Sequence, residues 1–226
     1  MLARAMVGAR STSPGMEDWS IVALLFIFDM DDVLYRYDWQ ARMARMTELT
    51  GHDLLELRRR WWHLDGEFAA EAGGFADADA YFEAHCTALG CTVDRDDWLD
   101  ARGGAMTAIP GSLEAVRRAS ELGRVTLLTN NNPLVESELP RLAPDLVPLF
   151  GESHLFASSS YGARKPDAAV YRAAMSAYGA AAEDTFFADD RPENVEGAEA
   201  LGITAHLFTG PEGLLDAIER FAASRA

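Results

Sequence analysis

A chain of 226 residues is long enough for one large domain, or for a core domain carrying an insertion, with a sizeable hydrophobic interior. Hydrophobic residues at 49% and charged residues at 25% match ordinary globular usage, which excludes a chain left disordered for want of apolar surface. With 36 acidic against 20 basic residues the formal charge is −16, a balance that repels nucleic acid and anionic membrane, so an anionic ligand needs local positive charge or a metal.

Residues 1–20 carry Arg4 and Arg10 but no apolar run of their own, and read as a disordered leader in which Met16 offers a second start. The run from Ile21 to Phe28 is too short to span a membrane and ends in acid, which fits a buried strand. It leads directly into FDMDDVLY, where Asp29, Asp31 and Asp32 crowd three carboxylates into four residues. From about Tyr37 to Thr107 the chain changes character. Met43, Met46 and Leu49, then Leu54, Leu57 and Trp61, recur at helical spacing, and no strong strand run appears. This segment reads as an all-helical insertion.

From Pro110 onward helix and strand signals alternate. Pro110-Gly111 marks a turn and Ser112 is placed to cap a helix whose apolar positions run through Leu113, Val116, Ala119 and Leu122 to Gly123. Val125–Thr129 reads as a buried strand, Leu155–Ser158 as an apolar stretch before a loop, Ala168–Tyr178 as a helix and Thr185–Ala188 as another strand. A helix from about Glu193 to Leu201, a strand over Ile203–Phe208 and a helix over Pro211–Ala223 complete the series. Strands that are apolar throughout and separated by helices imply a parallel sheet covered on both faces, an α/β fold. The expected division is a leader at 1–20, a core at 21–36 and 108–226, and a helical cap at 37–107.

In an open parallel sheet, ligands collect beyond the carboxyl ends of the strands. Those ends offer Asp29 and Asp31, then Thr129 and Asn130, then Arg164 and Lys165 in GARKPD, then Asp189 and Asp190 in FFADD. Two acidic clusters at one sheet edge repel each other unless a cation sits between them, and carboxylate oxygens suit Mg²⁺. A carboxylate nucleophile, a second carboxyl group for proton transfer, a metal and a phosphate-holding lysine together describe phosphoryl transfer through an aspartyl-phosphate. Alone, each element has a plainer reading as a helix cap, a loop exit or a surface lysine; their joint occurrence in this order favours the chemical one.

IFDMDDVL, LLTNN, the lysine of RKPD and FFADDRPENVEGAEALG resemble the four ordered motifs of the haloacid dehalogenase-like hydrolase superfamily, and the resemblance runs from about Ile21 to Phe208. It implies a Rossmann-like core with a helical cap and Mg²⁺ as cofactor. By the same resemblance Asp29 is the nucleophile, and Asp31 protonates the leaving oxygen, then activates water and offers its backbone carbonyl to the metal. Thr129 and Asn130 bind the phosphoryl group, Lys165 stabilises it, Asp190 ligates the metal, and Asp189 is a second ligand or outer partner. An Asp at position 31 favours a phosphatase over a dehalogenase, since a departing halide needs no proton. A phosphomutase or a catalytically silent binding protein of the same fold are the other readings. ARKPDAAVYRAAMSAYG and the segment from Asp184 to Phe208 look most like bacterial sugar-phosphate phosphatases, including those acting on glucose 1-phosphate, which implies a small phosphate monoester as substrate. Many relatives carry Gly or Asn where this chain has Asp32.

Trp61, Trp62, His63 and Glu67 form an aromatic and polar cluster that either stacks on a sugar or builds the core of the cap. His52, His85, His154 and His206 lack paired metal-ligand spacing and read as structural or surface groups, and Arg58–Arg60 as a solvated helix face. Cys86 and Cys91 complete no zinc pattern and read as free thiols in a reducing compartment, so the expected location is the cytoplasm.

Overall fold

The computed structural model describes residues 24–225; the expected leader and the first residues of the Ile21 run lie outside them. Four parallel strands, β1 (Leu25–Phe28), β4 (Arg124–Leu127), β5 (Thr185–Asp189) and β6 (Thr204–Leu207), form a sheet in the order β4-β1-β5-β6. Two further strands, β2 (Tyr35–Tyr37) and β3 (Met106–Ala108), pair only with each other, antiparallel, with Tyr35 opposite Ala108 and Tyr37 opposite Met106.

Between β2 and β3 lie five helices, α1 (Trp39–Thr50), α2 (Leu54–Arg60), α3 (Glu67–Glu71), α4 (Ala78–Leu89) and α5 (Arg95–Gly103). Asp38, Asp53, Asp77 and Asp94 start four of them by accepting hydrogen bonds from backbone N–H groups of the first turn. The core helices are α6 (Pro110–Leu122), the short α7 (Pro133–Ser137), α8 (Leu139–Leu142) and α9 (Val147–Phe150), then α10 (Ala168–Tyr178), α11 (Pro192–Glu199) and α12 (Pro211–Ala223).

Alternation along the strands explains why they are apolar on both sides. Phe26, Phe28 and Phe186 face one layer with Val116, Ile218 and Phe221, while Leu25, Ile27 and Phe187 face the other with Val170, Tyr171 and Ala198. The first layer continues into the insert through Met43, Met46, Leu57, Trp61, Tyr81 and Trp98, so core and insert share one apolar interior.

Three sequence expectations shift. Ser112 does not cap α6; Pro110 occupies the first helical turn after Ile109, and Ser112 is buried inside the helix. The insert is bounded by short strands that three residues of pattern cannot signal. Leu155–Ser158 leads into a loop as expected, with a single bridge from Ala157 to Thr129 and a 3₁₀ turn over Ser158–Tyr161. Lys165 therefore stands on the loop before α10, not at a strand end.

Candidate active site

The chain leaves β1 through a tight turn in which the Met30 carbonyl accepts hydrogen bonds from the Leu34 and Tyr35 N–H groups at 2.9 and 3.0 Å. Asp29 continues the ladder, its N–H donating to the Ala188 carbonyl at 3.0 Å, so its side chain is set by the sheet itself. Asp32 takes the left-handed conformation at φ +59°, and its Oδ1 accepts from the Tyr37 N–H at 3.0 Å. The third carboxylate thus closes the turn into β2, in a backbone geometry that Gly or Asn would also suit.

Asp29, Thr129, Lys165 and Asp189 are buried, Asp31 and Asp190 half-buried. Lys165 Nζ lies 2.9 Å from Asp29 Oδ1 and 2.7 Å from Asp189 Oδ2, between the ends of β1 and β5. Asn130 holds that lysine in place: its amide donates to the Lys165 carbonyl and its oxygen accepts from the Lys165 N–H, both at 2.9 Å. The Asn130 side chain is thereby tied to backbone through one donor and its oxygen, and both Thr129 and Asn130 line the cleft. Asn131, which the sequence did not single out, donates to Thr129 Oγ1 at 2.8 Å and to Asp31 Oδ2 at 3.3 Å.

The insert reaches the same cleft. Arg102 on α5, fully buried, places Nη2 2.7 and 2.8 Å from the two Asp31 oxygens. Glu67 on α3 accepts from Asn132 Nδ2 at 2.7 Å through one oxygen, and from Trp61 Nε1 and Tyr81 OH at 2.7 and 2.8 Å through the other. Arg164 pairs with Glu71 at 2.6 Å. The resulting cavity holds about 440 Å³, lined by Asp29, Asp31, Thr129, Lys165 and Asp190 from the core and by Trp39, Arg42, Trp62, Glu67, Phe68 and Glu71 from the insert. Within the aromatic cluster, Trp61 packs among Phe75, Tyr81 and His85 as core and Trp62 lines the cavity, while His63 bonds only its own turn. Arg59 and Arg60 bond Glu56 and Arg58 stacks on Trp39, so that basic run is a helix face with local partners.

Oxygens of Asp29, Asp189 and Asp190 lie within 4.8 Å of one another. Burial pushes the Asp29 carboxyl up, Lys165 opposes it and Asp189 adds to it, for a net upward shift. Burial and then Asp189 and Asp32 raise Asp190 to about 6. Burial works against the charge of Lys165, but Asp29 and Asp189 outweigh it and hold the ammonium above its ordinary range. Asp29 Oδ1 is buried and meets Lys165 Nζ, with no second partner among the described residues. Asp189, in contrast, receives Lys165 Nζ, the Arg191 N–H at 2.9 Å and Asn194 Nδ2 at 3.0 Å. A hard divalent cation fits this donor set, with Asp29 and Asp190 as the carboxylates that have oxygens to give and Asp189 as their oriented neighbour.

A parallel sheet with carboxylates and a lysine gathered at its carboxyl edge is an α/β fold with a charged site in the place where such folds bind ligands. The family model described as haloacid dehalogenase-like hydrolase matches residues 24–202, and the chain belongs to that family of enzymes. Phosphatase MT3486 of Mycobacterium tuberculosis (strain CDC 1551 / Oshkosh) is 32% identical to it in an alignment of length 212 that covers 88% of this chain and 93% of that protein. Among solved structures, a HAD-like family hydrolase from Porphyromonas gingivalis superposes with a TM-score of 0.71 at 23% identity, covering 88% of this chain and 97% of its own. The HAD family enzyme bt-2542 from Bacteroides thetaiotaomicron, in complex with magnesium and inorganic phosphate, superposes with a TM-score of 0.70 at 20% identity, covering 83% and 95%. Among the described residues no helix is long and apolar enough to cross a membrane.

Proposed function

We propose that the chain is a Mg²⁺-dependent phosphatase of small phosphate monoesters, sugar-phosphate-like metabolites in particular, acting through an aspartyl-phosphate on Asp29. The observation that carries this reading is the buried Asp29–Lys165 pair with Asp31 two residues on, opening into one cavity. The phosphatase relative and the magnesium and phosphate bound by bt-2542 support it.

Asp29 attacks phosphorus while Thr129 and Lys165 hold the phosphoryl oxygens, and the bond to the leaving oxygen breaks as Asp31 gives that oxygen a proton. Water then attacks phosphorus in the aspartyl-phosphate, Asp31 takes the water's proton, and the Asp29 carboxylate leaves. Asp29, Asp190 and the Asp31 backbone carbonyl would hold Mg²⁺, whose charge offsets the repulsion between phosphate and carboxylates. Residues 37–107 serve as the cap that excludes water and chooses the leaving group, with Trp62 and Glu67 facing it. The thiols and acidic surface fit the cytoplasm.

The test is phosphate release from a panel of sugar phosphates, nucleotides and phosphorylated acids. Turnover is expected to need Mg²⁺, to stop reversibly with EDTA, and to be abolished by Asp29→Asn. An Asp29→Asn enzyme that turns over at the parent rate overturns the mechanism.

A further inference from the structure

We propose that Arg102 is the positioning residue for Asp31, a role that rests on the phosphatase reading above. Burying a guanidinium is costly unless it is paired. Arg102 has no exposed side-chain surface, yet among the described residues its Nε and Nη1 have no hydrogen-bond partner. Its polar contacts run through Nη2 alone, and both go to Asp31. The rest of the guanidinium lies over the Tyr37 ring, 4.0 Å from the centroid. An arginine that merely finished helix α5 would spread its five donors over backbone carbonyls. This one directs one nitrogen at both oxygens of a single carboxylate.

That geometry fixes what the turn leaves free. The backbone of Asp31 is set by the turn after β1, but its carboxylate has otherwise one side-chain donor, Asn131 Nδ2 at 3.3 Å. One nitrogen on both oxygens fixes where the carboxylate points, Asn131 Nδ2 on Oδ2 alone sets its rotation, and the packing of Tyr37 fixes the guanidinium. Arg102 thereby aims the group that must reach the leaving oxygen, from a position 71 residues away in sequence and on the insert. The closer of the two side-chain donors to Asp31 is present only when the insert is seated on the core.

The consequence depends on the leaving group. An alkyl phosphate departs as a basic alkoxide and needs the proton that Asp31 delivers; 4-nitrophenyl phosphate departs as a weakly basic phenolate and does not. General acid catalysis contributes roughly 10²–10⁴-fold, so Arg102→Gln should lower kcat/KM for an alkyl sugar phosphate by about 100-fold and for 4-nitrophenyl phosphate by less than about 10-fold. Arg102→Lys, which keeps the charge, should recover part of the alkyl rate. In an Asp31→Asn background, Arg102→Gln should have almost no further effect. Equal losses for both esters in Arg102→Gln, or effects that multiply with Asp31→Asn, overturn the proposal. If Arg102→Gln does not fold, the alkyl-to-aryl ratio of Arg102→Lys decides: a ratio equal to that of the parent enzyme overturns it and a lowered one supports it. A parent enzyme that cleaves neither ester instead overturns the phosphatase reading itself.

Discussion

At the carboxyl edge of the core sheet, Asp29, Thr129 and Asp189 follow directly on buried strand residues, so the sheet that hides the backbone also places the chemistry. In the insert, Arg42, Glu67 and Arg102 come from three different helices and meet the cleft only because the helices pack as they do. The core therefore delivers its charges by chain connectivity and the insert by tertiary contact. The first arrangement tolerates change in the surrounding helices; the second fails as soon as the packing does.

The sharpest way to break the core half of this contrast is Lys165→Met. It removes the cation that separates Asp29 from Asp189 and leaves two buried carboxylates facing one another. Removing one partner of a buried ion pair costs about 3–5 kcal/mol, so the variant should lose turnover and show a marked drop in denaturation midpoint. A variant as stable as the parent would mean that the pair is replaceable by apolar packing.

The insert half is probed by acid. His85 is buried among Trp61, Tyr81 and Trp98, and burial, then Arg42, lower it to about 3 from the 6.5 of an exposed imidazole. The unfolded chain binds a proton at His85 below pH 6.5 and the folded one does not until about 3, so this contribution to stability is present above pH 6.5 and lost as pH falls. The slope from this group approaches about 1.4 kcal/mol per pH unit in that window. His85→Gln keeps an acceptor for Trp98 Nε1, at 3.2 Å in the parent, and should flatten the dependence. An unchanged slope in urea titrations between pH 6 and 4 would remove His85 from the account.

The smallest effect belongs to Asp32→Gly. The substitution loses one hydrogen bond to Tyr37 N–H, worth about 0.5–1.5 kcal/mol, and relieves a left-handed backbone of similar cost. Stability and kcat should stay near the parent values. A large fall in kcat would give the third carboxylate of FDMDDVLY a part in the chemistry.

The same contrast explains what could be read in advance. The runs of β1, β4 and β5 stand out because burial forces unbroken apolar stretches, and helices α10 and α12 because one buried face gives helical periodicity. Asp29, Asp31, Thr129 and Asp189 stand out because they end such stretches. Lys165 was legible by residue type but not by element, since its loop reaches the site through Asn130 and not through a strand. Arg102 was invisible: in DARGG at a helix end it looks like any solvent-facing cation, and only the packing of α5 buries it. Asn131 was hidden by its neighbour, because nothing in a run of three asparagines says which amide faces backbone and which faces Asp31. The strands β2 and β3 were too short for a period, with Arg36 exposed between buried Tyr35 and half-buried Tyr37, and Thr107 exposed between half-buried neighbours.

The β2–β3 ladder gathers both crossings between core and insert at one place. Both crossings between core and insert run side by side, since Asp38 N–H donates to the Ala105 carbonyl at 2.8 Å and Ile109 N–H to the Leu34 carbonyl at 2.9 Å. No strand of the insert joins the core sheet. Residues 38–105 thus enter and leave at one place, and no ladder hydrogen bond of the sheet that holds Asp29 passes through them. Arg102, the insert's own donor to Asp31, lies within that segment.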